Sequence, residues 1–310
     1  MKRIFLVLCC LVLFGLCLHA RPQQEAAGPL RFGSIPGIEL LPILHAKQRG
    51  YFVQEGVDFE LIAFNNAQER DAALQADRID GTLSDTFGAA FLVAAGLDFK
   101  VTSLTNDPFF IITSPQSGIT NLAQLRGKRI GLFSNTVTHF VADSLLASVG
   151  VTEYEVVHVP NVMLRLEMVM NGQIDGALVP DPIMTTSMAQ GAVLVGGTVN
   201  TTLAAGAYIF YRKVMDTRLN DVRAFYRAYY RAIIDINANP DSFRDFMVEY
   251  VNFPPSIRNT YKFVTYSKPR LPSEQQLRTT IAWLKRRDLL TANLTPSDIA
   301  DPRAVSEWSN

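Results

Sequence analysis

From Leu30 onward the chain alternates short apolar runs with longer stretches of helical spacing. Leu30–Ile35, Phe59–Phe64, Gly81–Ser84 and Val101–Leu104 predict strands, each short and bounded by polar or turn-forming residues. Between them Glu39–Arg49, Ala67–Ala76 and Phe87–Ala95 predict helices, with Gly50 and Gly96 just past the ends of the first and third, where a left-handed residue stops a helix. A second series follows. Strands are expected at Phe109–Thr113, Arg129–Phe133, Val156–Val159, Gly176–Val179 and Val193–Val195, and helices at Val137–Val149, Leu164–Asn171 and Pro182–Gln190. After Gly197 the chain turns through Thr201–Gly206 into a last strand, Ala207–Tyr211. Helix then follows helix. Asp216–Asn237 is the clearest, with Val222, Phe225, Tyr226, Tyr229, Ile233 and Ile236 on one face. Strands alternating with helices predict an α/β fold with mostly parallel sheets flanked by helices.

The pattern contains an internal echo. Ala73–Leu83 and Met168–Leu178 both read as a helix end, a turn carrying Ile-Asp-Gly and a buried strand, which runs out at Asp85 in one case and Asp181 in the other. Asp-Gly turns are common enough to arise separately. The alternative is two related lobes whose strand ends face one cleft, because open α/β sheets bind ligands beyond the carboxyl ends of their strands.

The stretch Pro42–Phe52, continuing through Val53-Gln54-Glu55-Gly56-Val57-Asp58-Phe59-Glu60, resembles the signature of substrate-binding proteins of ABC importers for sulfonates, nitrate and thiamine precursors. Asn121–Gly131 is similar to that family's step into its second lobe, and the two Ile-Asp-Gly turns to its repeats. The resemblance runs from about Leu30 to Gly197 and implies a type II periplasmic-binding-protein fold. One lobe would comprise residues 29–106 and 206–310, with the C-terminal helices, and the other residues 107–205. The crossings would fall near Asn106–Phe109 and Thr201–Gly206. It also implies a small-molecule ligand, an ABC permease and ATPase as partners, and no cofactor. A monomer is the expected state.

Lys2 and Arg3 ahead of the apolar run Ile4–Leu18 have the layout of a signal peptide, residues 1–20, followed by a polar linker, residues 21–28. All three cysteines, Cys9, Cys10 and Cys17, lie in this leader. The chain beyond it has no thiol for a disulfide, a metal or nucleophilic catalysis. Cys17 is a candidate for lipid attachment, with cleavage after Ala20 as the rival. An exported protein is expected, periplasmic or tethered to the outer face of the membrane. With 29 basic and 29 acidic residues the formal charge is zero, and no basic stripe offers itself to nucleic acid.

If strand ends face a cleft, its lining includes Ser34, Glu39, Asn65, Asp85, Thr86, Phe87, Asn135, Thr136, Thr138, His139 and Asp181. Asn135–His139 follows a strand and opens a helix. Its free amides suit an anionic group, although capping by Asn135 or Thr136 is the simpler role. The lining loops carry Glu39, Asp85, Asp107 and Asp181 and no Lys or Arg, with aromatic residues close by. Carboxylates and ring faces suit an amine-bearing or heteroaromatic ligand such as a thiamine-precursor-like pyrimidine. An aliphatic sulfonate, taurine or nitrate is the alternative, since helix amides alone bind anions, and for Asp85 and Asp181 accepting backbone amides is the simpler role.

His45, His139 and His158 are scattered, without metal-ligand spacing, and neither a nucleophile elbow nor a P-loop occurs. No catalytic residue and no metal are expected. A pyrimidine-synthase-like enzyme of the same fold would carry a cysteine-rich motif that this chain lacks. A ligand-sensing receptor partner is the third class.

Overall fold

Ten strands gather into two sheets of five in the computed structural model, which describes residues 28–308 apart from Asn66, Asn200, Thr202 and Ala204. The expected leader with Cys17, the linker as far as residue 27, and Thr202 lie outside the described residues. The first sheet holds β1 (Leu30–Ser34), β2 (Phe59–Ala63), β3 (Gly81–Asp85), β4 (Phe99–Leu104) and β10 (Gly206–Tyr211), in the order β2-β1-β3-β10-β4. The second holds β5 (Phe109–Thr113), β6 (Arg129–Leu132), β7 (Glu155–His158), β8 (Gly176–Pro180) and β9 (Val193–Gly197), in the order β7-β6-β8-β5-β9.

The two orders are the same pattern. In each, three strands pair in parallel and a strand arriving from the other sheet inserts antiparallel in fourth place: β10 between β3 and β4, β5 between β8 and β9. The crossings therefore run side by side. The amide of Thr105 donates to the Gly206 carbonyl at 3.0 Å, and the amide of Thr198 to the Phe109 carbonyl at 2.9 Å. Gly206 permits this approach, since a Cβ there would fall on the side chains of Thr105 and Asp107.

The echo in the sequence is an echo in space. Arg31 grips Asp80 through its amide at 2.8 Å and its guanidinium at 2.6 Å. Arg129 grips Asp175 in the same way, at 2.9 Å and 3.2 Å. Each pair ties the start of one parallel strand, β1 or β6, to the turn before its neighbour, β3 or β8.

Helices cover both sheets: α1 (Leu41–Gln48), α2 (Tyr51–Gln54), α3 (Ala67–Gln75), α4 (Thr86–Ala94), α5 (Val137–Ala147), α6 (Val162–Met170), α7 (Ile183–Ala189), α8 (Arg212–Thr217), α9 (Leu219–Ala238), α10 (Arg244–Tyr250), α11 (Glu274–Arg286) and α12 (Pro296–Ile299). Two differ from the sequence pattern. Glu39 lies in a 3-10 turn, Ile38–Leu40, ahead of α1, because Pro42 has no amide and tolerates only the first turn of a helix. The helix expected from Asp216 is broken at Arg218, whose backbone leaves the helical region while its side chain turns to Asp221 and the Pro29 carbonyl.

Helix α9 packs its apolar face on the first sheet, with Phe225 against Phe32, Phe52 and Phe59. The chain beyond it returns to the crossings. The Ser267 amide donates to Asn106 at 3.0 Å and the Leu104 amide to the Arg270 carbonyl at 2.8 Å. Helix α11 packs on α4 and reaches the second sheet's α5 through Trp283.

Candidate functional site

Four carboxylates converge where the carboxyl ends of both sheets meet. Asp85 ends β3, Asp181 follows β8, Asp107 lies in the first crossing and Glu39 in the turn after β1. Each is half-buried, in contact with solvent yet largely surrounded by protein. Burial raises the pKa of all four, because a charge loses hydration there. Like charges add to the rise: Asp181 acts on Glu39, and Glu39 and Asp85 act on Asp107. Glu39 is pushed up to about 7. Asp85 and Asp181 have partial compensation. Asp85 caps α4 by accepting from the Gly88 amide at 2.7 Å, and Asp181 accepts from the Thr185 amide and hydroxyl at 3.0 and 2.8 Å.

A wall of tyrosines stands behind these acids. Tyr208 of β10 donates to the Glu39 carbonyl at 3.3 Å, Tyr266 donates to the Ile38 carbonyl at 2.8 Å, and Tyr229 of α9 is buried with its ring 5.4 Å from that of Tyr208. Tyr261 is buried and its hydroxyl has no partner among the described residues. Burial, then Asp181 and Glu39, hold that hydroxyl firmly protonated, which places it beside the acids as a donor in want of an acceptor. The Thr86 hydroxyl, next to Asp85, is likewise buried without a partner. Orphaned buried hydroxyls are costly and uncommon, and both adjoin the same crease.

The other candidates from the sequence are placed differently. Phe87 is buried between Phe140 and Trp283, in an aromatic knot joining the two lobes. His139 belongs to that knot, with its ring 5.4 Å from Trp283, its Nδ1 accepting from the Asn135 amide at 3.2 Å and its pKa lowered by burial. Thr136 caps α5 and Thr138 donates to the Phe133 carbonyl at 3.0 Å, so the hydroxyls of this stretch bond within it, while His139 Nε2 is buried without a hydrogen-bond partner among the described residues. Ser34 donates to the Ile35 carbonyl at 2.9 Å, and Asn65 is exposed and bonded to Glu69. Glu39, Asp85, Thr86 and Asp181 thus come together with Asp107, while Asn135, Thr136, Thr138 and His139 form a separate patch along the seam. Among the described residues no group of three or more His, Asp, Glu or Cys side chains is set to hold a metal ion.

Residues 38–243 match the family model described as NMT1/THI5 like. The chain belongs to that family. A fission-yeast (Schizosaccharomyces pombe) 4-amino-5-hydroxymethyl-2-methylpyrimidine phosphate synthase is 24% identical over 219 residues, 64% of this chain and 62% of the relative. A putative aliphatic sulfonates-binding protein of Bacillus subtilis is 24% identical over 210 residues, 63% of this chain and 62% of the relative. The chain thus spans about three fifths of these curated relatives. The periplasmic aliphatic sulphonate binding protein of Escherichia coli superposes with a TM-score of 0.77 at 14% identity, covering 89% of this chain and 98% of that one. The likeness fixes the fold as that of the periplasmic binding proteins.

Within this NMT1/THI5-like chain, the sequence reading missed the tyrosines and two arginines. The tyrosines come from β10, α9 and the segment after α10, far along the chain from the signature motifs. Arg70 lies on a helix rather than on a lining loop. It donates to the Leu83 carbonyl at 2.8 Å, and its charge partly offsets the rise in Asp85. Arg165 is its counterpart in the second lobe. A helix-borne cation that reaches a strand end sends no signal in loop composition.

Proposed function

We propose that this chain is the exported solute-binding component of an ABC importer, and that it holds a small amine-bearing or heteroaromatic molecule between its lobes without transforming it. The observation that carries this reading is the convergence of Glu39, Asp85, Asp107 and Asp181 at the seam, against a tyrosine wall with one unpartnered hydroxyl. A cation entering there removes the repulsion among the acids, and ring faces line its path. Transport rather than catalysis is supported by the absence of any thiol after Cys17 and by the sulfonate-binding relatives. The leader supports export, with Cys17 as one candidate anchor.

Native mass spectrometry of gently purified protein, followed by a thermal-shift panel of aminopyrimidines, other heteroaromatic amines and alkanesulfonates, tests the reading. A ligand that binds only the folded state raises the transition temperature. A heteroaromatic amine is the expected hit. Tight binding of simple alkanesulfonates with no response to any amine would overturn it. Because two relatives bear a synthase name, chemical change of the bound compound during incubation would favour an enzyme.

A further inference from the structure

Arg70 and Arg165 are the same residue of a repeated design. Each is the fourth residue of its helix, α3 or α6. Each donates Nη1 to the carbonyl of the residue thirteen positions on, Leu83 or Leu178, in the strand that runs out at the cleft. Their surroundings then diverge. Arg70 pairs with Asp71 at 2.8 Å and faces Asp85. At the corresponding positions of the second lobe stand Leu166 and Pro180. Arg165 consequently has no ion pair among the described residues, and its Nε is buried without a hydrogen-bond partner. Only 5% of the residue is exposed, and burial alone brings its pKa down to about 10. A buried guanidinium with an open donor and no counter-charge is the environment that seeks an anion.

We infer that Arg165 is the anion-holding end of the ligand site, so that the ligand is amphoteric: a cationic amine or ring nitrogen toward Glu39 and Asp107, and an anionic oxygen group at Arg165. This rests on the inter-lobe binding reading and narrows it from amines to molecules bearing both charges. The first lobe supplies its own carboxylates to its arginine. The second leaves that place to the guest, which then joins the lobes by charge as well as by shape. Bidentate capture of phosphate, sulfonate or carboxylate is the chemistry that guanidinium geometry favours.

The test compares 4-amino-5-hydroxymethyl-2-methylpyrimidine with its phosphate ester by calorimetry on wild-type protein and Arg165→Met, which keeps side-chain length and apolar packing. The ester should bind wild type about ten- to a hundredfold more tightly than the alcohol, the range for a charge-assisted contact. Arg165→Met should bring the ratio to near one while leaving the alcohol's affinity unchanged. An undiminished ratio in the variant, or equal loss for both compounds, would overturn the assignment. A second arm needs no organic ligand: inorganic phosphate should raise the melting temperature of wild type and not of Arg165→Met. If neither pyrimidine binds but phosphate discriminates, the amine reading fails and Arg165 stands. If phosphate acts alike on both proteins, the role of Arg165 fails whatever the pyrimidines do.

Discussion

The indole N–H of Trp283 donates to Oδ2 of Asp143 across 2.8 Å, and this contact joins a C-terminal helix packed on α4 of the first lobe to α5 of the second. Asp143 also accepts from Arg287 at 2.8 Å and from the Tyr154 hydroxyl. Arg287 lies over the Trp283 ring at 4.6 Å. Burial acts to raise the carboxyl's pKa, but the hydrogen bonds from Tyr154, Trp283 and Arg287 outweigh it and hold the group below its ordinary value. The clasp therefore stabilises the fold while Asp143 is ionised. That contribution is complete above the unfolded value of 3.8 and is lost as pH falls through the lower folded value. Asp143→Asn should cost about 2–3 kcal/mol at pH 7 by urea denaturation, the worth of hydrogen bonds to a charged group. An unchanged midpoint would show that the clasp is not held by charge.

Trp283 and Trp308 are the two tryptophans of the chain. In a Trp308→Phe background Trp283 alone reports, from the knot it makes with Phe87, Phe140 and His139. Ligand binding should change its emission saturably, with a midpoint equal to the calorimetric Kd. A flat signal at saturating ligand would mean that the lobes do not move at this contact.

The acid cluster sets a pH dependence of the opposite kind. Glu39 has a folded value of about 7 against an ordinary 4.5. Between these values the unfolded chain loses its proton before the folded one does, so ligand-free stability falls as pH rises from about 4.5 to about 7 and then levels off. Asp107, Asp85 and Asp181 are raised too and act in the same sense. A cationic ligand prefers the ionised acids, so its affinity should rise with pH through the same window and binding should release protons. Calorimetry in buffers of different ionisation enthalpy measures that release. Glu39→Gln should flatten both slopes near pH 7 and weaken a cationic ligand at pH 8 by about tenfold, or about 1.4 kcal/mol.

Tyr261→Phe separates stability from binding. It deletes a buried hydroxyl that has no partner in the free protein, so the free protein should gain up to about 1 kcal/mol. Ligand affinity should fall by about three- to tenfold as the ligand loses a donor. Equal affinity in wild type and variant would take Tyr261 out of the site.

Gly206→Ala probes the crossings. The new methyl group would meet Thr105 and Asp107, so either β10 or the first crossing has to shift. A loss of about 1–3 kcal/mol is expected from overpacking, with weaker ligand binding as Asp107 is displaced. Thermal denaturation and calorimetry together read both effects.

Much of the framework was legible because strand runs and helix stops are local signals. All ten strands lie where the apolar runs predict, with end shifts of one or two residues. The Ile-Asp-Gly turns marked the repeat because Asp80 and Asp175 each answer an arginine at the start of a neighbouring parallel strand, β1 or β6. The acids at the strand ends were readable for the same reason. The tyrosine wall was not, since Tyr208, Tyr229 and Tyr261 follow the periodicity of core residues and only tertiary packing turns them toward Glu39. The Asn135–His139 stretch reads in the sequence as a candidate ligand loop, and in the structure much of it is engaged in local bonds. Its threonine hydroxyls and His139 Nδ1 bond locally, and a sequence does not say whether a cap is already occupied.

Among the described residues the halves meet at the paired crossings Thr105–Gly206 and Phe109–Thr198, at the grip of Trp283 and Arg287 on Asp143, and where α7 packs against Pro255–Ile257. Two of these three meetings are made by the chain beyond α9, so the C-terminal segment is a latch laid across the seam, and any parting of the jaws has to begin by prising it loose.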